Sequence, residues 1–318
     1  MDFHTIQHQN QTVVQNKSPY QQTVLSTDPP IENKTIFFIH VQRPKDKTLN
    51  LIARSACAIE SAAKNNPDFN VTLVCFNVMD LAENNSFVKA LKEYPNIQFH
   101  KTTLENITKD SIAEPWISKG LIQKGKYLSW HTSDFARLFM LYKYGGIYLD
   151  TDFIVLKSLA DLKPGWTVAE SRYWVASAAM SFHSTGYGHY LAEMLVREFM
   201  NSYNGSVYSY NGPQLLTRVL QKVCFTKDTK MMKRGPCYDF EVLARETFYP
   251  IGFYEKDLFF NPSNLTQALE KVKDSYAVHC WHGGYLGGVH LKVGTQAAIG
   301  VLAEKHCPKV YAAVEELF

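Results

Sequence analysis

Between Ser133 and Leu159 the chain reads SDFARLFMLYKYGGIYLDTDFIVLKSL, and few folds accommodate that string. Phe135, Leu138, Phe139 and Tyr142 recur at helical spacing, and Gly145-Gly146 ends the helix. Ile147-Tyr148-Leu149 is then a short apolar strand that runs into Asp150-Thr151-Asp152. Ser133 is placed to cap the helix, with Asp134 in its first turn, and Asp134 and Arg137 share a helix face. On an extended chain, side chains two apart point the same way, so Asp150 and Asp152 present their carboxylates to one point just beyond the strand. Hard oxygen ligands of this kind suit Mg²⁺ or Mn²⁺, shared with substrate phosphates. A D-x-D pair also fits solvated turn carboxylates. Here the pair lies between two apolar runs, the second being Phe153 to Leu156, and charges so placed need a partner that a metal ion supplies.

The flanking chain predicts an α/β architecture. Residues 1–34 are polar, proline-bearing and aperiodic, which reads as a flexible stem. Order begins at Thr35 with the buried-strand run Ile36 to Ile39. Helix candidates at Leu49–Asn65 and Asp80–Tyr94 alternate with strands at Val71–Val78 and Ile97–Phe99. This alternation implies a Rossmann-like, mostly parallel sheet with helices on both faces, and ligands bind beyond the carboxyl ends of such strands. Further on, Val175–Phe182 reads as a strand, and Gly188–Tyr203 and Leu215–Val223 as helices. There is no G-x-G-x-x-G and no phosphate-binding P-loop.

Several function classes are disfavoured. A net charge of +3 without any lysine- or arginine-rich run argues against nucleic acid. No apolar stretch approaches the roughly 20 residues that span a bilayer, and no signal peptide opens the chain. Two features nevertheless point to the secretory pathway. The six cysteines are an even number compatible with three disulfides, and Cys224–Cys237, closing a short loop, is the first pairing to try. Asn-X-Ser/Thr occurs eight times, at Asn10, Asn16, Asn33, Asn70, Asn84, Asn106, Asn204 and Asn264, where chance predicts about two.

The DXD segment resembles the sugar-binding region of retaining α-1,4-glycosyltransferases, the family of the α-1,4-galactosyl- and N-acetylhexosaminyltransferases. Cys57 to Ala63, Gly212 to Arg218, Phe248-Tyr249-Pro250 and Tyr276 to Trp281 fit the same family in order, so the resemblance runs from about Thr35 to Phe318. It implies the A-type glycosyltransferase fold, with residues 35–165 as a nucleotide-sugar-binding half and 166–318 as an acceptor-side half. It implies a UDP-sugar donor, Mn²⁺ or Mg²⁺, a glycolipid or glycan acceptor, and a Golgi-lumen enzyme whose usual membrane anchor this chain does not show. Asp134 and Arg137 would grip donor-sugar hydroxyls, although a helix-surface ion pair is the plainer reading. Asp152 would bind the metal directly, and Asp150 would bind it through water or hold the ribose. His279 would contact metal or phosphate, the Trp281 indole N–H would serve the diphosphate, and Gln214 would help bind the donor. Gly283 to Gly288 reads as a loop able to close over the site.

Retention of configuration allows a carboxylate nucleophile, with Glu170 and Asp239 as candidates by position, or same-face attack, which is preferred. Tyr203, Tyr208, Tyr210 and Trp174 are candidates for stacking on acceptor sugars. One departure from the family stands out: relatives carry Asn-Gly near the donor sugar, where this chain has Ala176-Ser177. The competing readings are a sugar-nucleotide or glycan-binding protein without turnover and a UDP-sugar hydrolase.

Overall fold

The computed structural model describes residues 34–42, 46–281 and 289–318. The expected stem, the glycine-rich loop and the acceptor asparagines Asn10, Asn16 and Asn33 lie outside them. Among the described residues nine strands are present: β1 (Thr35–Val41), β2 (Asn70–Phe76), β3 (Ile97–Thr102), β4 (Gly146–Leu149), β5 (Phe153–Val155), β6 (Trp166–Ala169), β7 (Val175–Phe182), β8 (Glu241–Leu243) and β9 (Ala277–His279). Seven form one sheet in the order β3-β2-β1-β4-β7-β6-β8, and β5 pairs separately with β9. In the large sheet only β7 runs against its neighbours; the other pairings are parallel. The mostly parallel sheet expected from the sequence is therefore the one observed.

The sheet is buried on both sides because its strands are apolar on both faces. In β1, Ile36 and Phe38 enter one core while Phe37 and Ile39 enter the other, as the two-residue period requires. The first core packs the helices Ala53–Asn65 and Ala298–His306 on one face. The second packs Leu128–Tyr144, Gly186–Ser202 and Pro213–Val223 on the other. Residues from before and after position 165 contribute to both cores.

Three helix starts differ from the sequence reading by four residues or more. The expected Asp80–Tyr94 helix is confined to Ser86–Lys92, because Asn85 caps it by accepting from the Phe87 and Val88 amides at 2.9 and 3.1 Å. The first helix starts at Ala53, since Leu49 is held extended by the hydrogen bond that its amide donates to Asp80 O at 2.8 Å. The helix before the DXD segment starts at Leu128, so Ser133 lies inside it and caps nothing. The added turn is held by aromatic contacts of Tyr127 with Trp130 and His131, and of His131 with Tyr203. The cysteines form two disulfides, Cys57–Cys307 and Cys224–Cys237, and leave Cys75 and Cys280 as buried thiols, so the third bridge is not made.

Candidate functional site

Arg137 meets Asp150 because two arms of similar length fold back on each other. From Arg137 to the end of the helix at Tyr144 the chain rises about 1.5 Å per residue, roughly 11 Å in all, and from Gly146 to Asp150 about 3.3 Å per residue, roughly 13 Å. The reversal uses Gly145 and Gly146 at φ 66° and 92°, where added Cβ atoms would stand 2.6 Å from Ser184 N and 2.7 Å from Thr35 O. Arg137 Nη1 lies 3.1 Å from Asp150 Oδ1 and donates to Ser177 O at 3.0 Å. Its Nη2 donates to Ser133 Oγ at 2.9 Å, and its Nε to Ser133 O at 3.2 Å. The guanidinium also lies 4.7 Å from the centre of the Tyr148 ring, and the Tyr148 hydroxyl donates to Asp150.

Asp134 stands 3.6 Å from Arg137 Nη2, and both residues are buried, so the pair is not on a helix surface. Burial raises the Asp134 carboxyl to about 7, against the pull of Arg137 and with a further push from Asp150. Burial opposes the Arg137 charge, but Asp150, Tyr148 and Asp134 together hold it on. Asp150 is raised by burial and by Asp152, with Arg137 acting the other way.

The second half of the site arrives through the β5–β9 pair. Phe153 is registered with His279, and the Cys280 amide donates to Asp152 O at 2.8 Å. The register carries His279 Nε2 to 3.0 Å from Asp152 Oδ1. His279 Nδ1 accepts from the Trp281 amide at 3.3 Å, which leaves Nε2 to carry the proton toward Asp152. Burial lowers the imidazole's affinity for a proton, yet Asp152, Asp150 and Glu170 outweigh it and raise its pKa. Trp281 has φ 56°, and its indole N–H donates to Ile251 O at 2.9 Å, so that donor is already committed. Tyr249 stacks on His279 at 5.2 Å.

Other expected residues fall around this centre. Gly212 packs on the Asp134 carboxylate, and Gln214 Nε2 donates to Ser209 Oγ at 2.7 Å. Gln214 lines a cavity of about 380 Å³ with Tyr173, Trp174, Tyr210 and Arg218. A larger cavity of about 540 Å³ is lined by Glu170, Arg172, Lys233, Arg245 and their neighbours. Glu170 lies within electrostatic reach of His279 and is raised by burial. Asp239 is engaged elsewhere, with Lys163, Arg234 and His183. Of the proposed stacking residues, Tyr208 and Trp174 are half-exposed, while Tyr203 packs among Trp116, Phe199 and His131.

Among the described residues, no group of three or more His, Cys, Asp or Glu side chains forms a ready cation cage. The donor set fits a divalent ion that takes its remaining ligands from a substrate: Asp152 and His279 face each other, and Asp150 is already engaged by Arg137 and Tyr148. The sequence reading overlooks Tyr249 and Ser133 as site neighbours and reaches Ser177 only through the Ala176-Ser177 departure. Tyr249 carried a signal, lying inside the Phe248-Tyr249-Pro250 motif.

Residues 53–170 match the family described as the glycosyltransferase sugar-binding region containing DXD motif, and residues 184–314 the alpha 1,4-glycosyltransferase conserved region. The chain is 31% identical over 261 residues to the lactosylceramide 4-alpha-galactosyltransferase of Rattus norvegicus, covering 81% of this chain and 71% of that one. It belongs to the α-1,4-glycosyltransferase family. It is also 25% identical over 268 residues to the alpha-1,4-N-acetylglucosaminyltransferase of Homo sapiens, covering 80% of this chain and 74% of that one. Among solved structures, it is similar to the galactosyltransferase LgtC in complex with donor and acceptor sugar analogs, at a TM-score of 0.45 and 13% identity over 87% of this chain and 95% of that one. As an α-1,4-glycosyltransferase the protein is a hexosyltransferase. Among the described residues, no helix of this glycosyltransferase is long and apolar enough to cross a membrane.

Proposed function

We propose that this glycosyltransferase moves Gal, GalNAc or GlcNAc in α-1,4 linkage from a UDP-sugar to a glycolipid or glycan acceptor, with a divalent metal. The observation that carries this reading is the meeting of Asp134, Arg137 and Asp150 with Asp152 and His279 at the carboxyl end of β4. In it, Asp134 and Arg137 take hydroxyls of the donor sugar, the carboxylate accepting and the rigid guanidinium fork donating. Asp152 would hold the metal, and His279 would join it through Nε2 on giving up the proton that it directs at Asp152, with Asp150 behind them. Bound there, Mn²⁺ or Mg²⁺ offsets the charge that builds on the departing diphosphate.

Residues 35–165 supply most of the donor side, joined there by Ser177 and His279, and 166–318 supply the acceptor side through the Glu170 cavity. Glu170 orients the incoming hydroxyl there. Same-face attack accounts for retention: the acceptor oxygen bonds to the anomeric carbon as the carbon–phosphate-oxygen bond breaks, and the acceptor proton passes to that phosphate oxygen. Ser177, whose carbonyl touches Arg137, stands where the family's Asn-Gly departure would be felt and tunes which donor is accepted. Two disulfides, together with exposed acceptor sites at Asn70, Asn84 and Asn106, support residence in the secretory pathway and the Golgi lumen.

The deciding experiment follows UDP release from UDP-Gal, UDP-GalNAc and UDP-GlcNAc with Mn²⁺, with and without a lactosyl acceptor, beside Asp152→Ala. Release that the acceptor stimulates and the variant abolishes supports the reading and names the donor. Release indifferent to every acceptor would make the protein a hydrolase. Binding of UDP without any release would make it a binding protein.

A further inference from the structure

β6 and β7 are paired with a break in register. Val168 faces Ala176, but its neighbour Thr167 faces Met180. A single step along β6 is therefore matched by four along β7, and Ser177, Ala178 and Ala179 bulge from the ladder. Thr167 spans this irregularity. Its side chain is fully buried, with Oγ1 2.8 Å from Ala176 O and 3.1 Å from Ala179 O, the carbonyls at the two ends of the bulge. By shape and strand preference a valine would serve a plain strand here equally well, so the hydroxyl is the informative part.

The carbonyls inside the bulge are turned to the site. Ser177 O accepts from Arg137 Nη1 at 3.0 Å, and Ala178 O accepts from the Asp150 amide at 2.8 Å. The bulge thus fixes the guanidinium assigned to the donor sugar and the main chain of the first DXD carboxylate. The Thr167 hydroxyl bonds to neither of them, only to Ala176 O and Ala179 O.

We infer that Thr167 is a positioning residue for the donor site, acting through the Ser177–Ala179 bulge that its hydroxyl holds in shape. The kinetic part of this inference rests on the donor assignment proposed above; the structural part does not.

The test compares Thr167→Val, which keeps shape and burial but removes the hydroxyl, with Thr167→Ser, which keeps the hydroxyl. Hydrogen exchange is read at the amides of Asp150 and Ser177 to Met180. In Thr167→Val these amides exchange about tenfold faster while β1 to β3 are unchanged, and Thr167→Ser behaves as the parent. With the active transferase, Thr167→Val raises the donor KM about fivefold and leaves the acceptor KM within about twofold, and Thr167→Ser restores the donor KM. Unchanged exchange and donor KM in Thr167→Val would overturn the inference. So would a uniform rise in exchange across the sheet, or a loss that Thr167→Ser shares, since either marks a general loss of stability. If the parent transfers no sugar from any donor, the donor assignment fails on its own and the exchange measurement decides for Thr167.

Discussion

The backbone of Gly212 lies so close to the carboxylate of Asp134 that a methyl group on it would stand 2.5 Å from Oδ1. The start of the Pro213–Val223 helix is thus moulded to a buried acid on another helix, and any side chain there would push that acid off its position. Gly212→Ala should lower kcat/KM for the donor about tenfold, through KM. Asp134→Ala empties the same space, so adding Gly212→Ala to it should change little. Two independent, additive losses in such a cycle would show that the contact does not matter to binding.

Arg137 makes contacts that lysine cannot reproduce, because its donors reach Ser133, Asp150 and Ser177 at once from one planar group. Arg137→Lys keeps the charge but loses some of these hydrogen bonds, so it should destabilise the fold by about 2 kcal/mol and abolish donor binding. Urea unfolding and UDP-sugar titration would read the two effects separately.

Tyr249 is buried, and its hydroxyl finds no hydrogen-bond partner among the described residues. A hydroxyl left unsatisfied in this way costs about 1–3 kcal/mol, so Tyr249→Phe should stabilise the free protein by about 1 kcal/mol. A melting temperature that falls instead would mean that the group is already satisfied.

His306 is buried at the end of the Ala298–His306 helix, and burial together with Lys305 and Lys64 lowers its pKa to about 4. Because the folded value lies below the unfolded one, the unfolded chain binds the proton first. Stability is therefore full above about pH 6.5 and declines as pH falls toward 4. Between pH 7.5 and 5 the loss should be on the order of 2 kcal/mol, and His306→Gln should flatten that part of the profile. An equal slope in the variant would assign the effect to other groups.

Under denaturing, non-reducing conditions two thiols should titrate, Cys75 and Cys280, and neither should react in the folded protein. The Cys57–Cys307 bridge joins residues 250 apart and Cys224–Cys237 residues 13 apart. Loop entropy then gives about 5 and about 3 kcal/mol respectively, so Cys57→Ala/Cys307→Ala should lower the urea midpoint more than Cys224→Ala/Cys237→Ala.

What the sequence could disclose divides along contact distance. Arg137 and Asp150 were each legible as site residues; their meeting, which the sequence reading does not state, follows from helix, glycine reversal and strand being consecutive. The sheet was legible from apolar periods of two and 3.6 residues. Ser133 misled because a good capping residue was overruled by the aromatic contacts of Tyr127, Trp130 and His131, which extend the helix upstream. The surface ion pair and the free indole N–H failed because burial by Gly212 and the reach of Ile251 O depend on distant segments. The Ser177–Ala179 bulge left no local mark at all, since Val-Ala-Ser-Ala-Ala-Met-Ser-Phe reads as a plain strand.

The Cys57–Cys307 bridge turns nearly the whole described domain into a covalent ring that contains every residue assigned to the site. A single protease nick within that ring would linearise the molecule without releasing a fragment. The cut enzyme would migrate as two pieces only after reduction, and its halves, still tethered, would remain at high local concentration for reassembly.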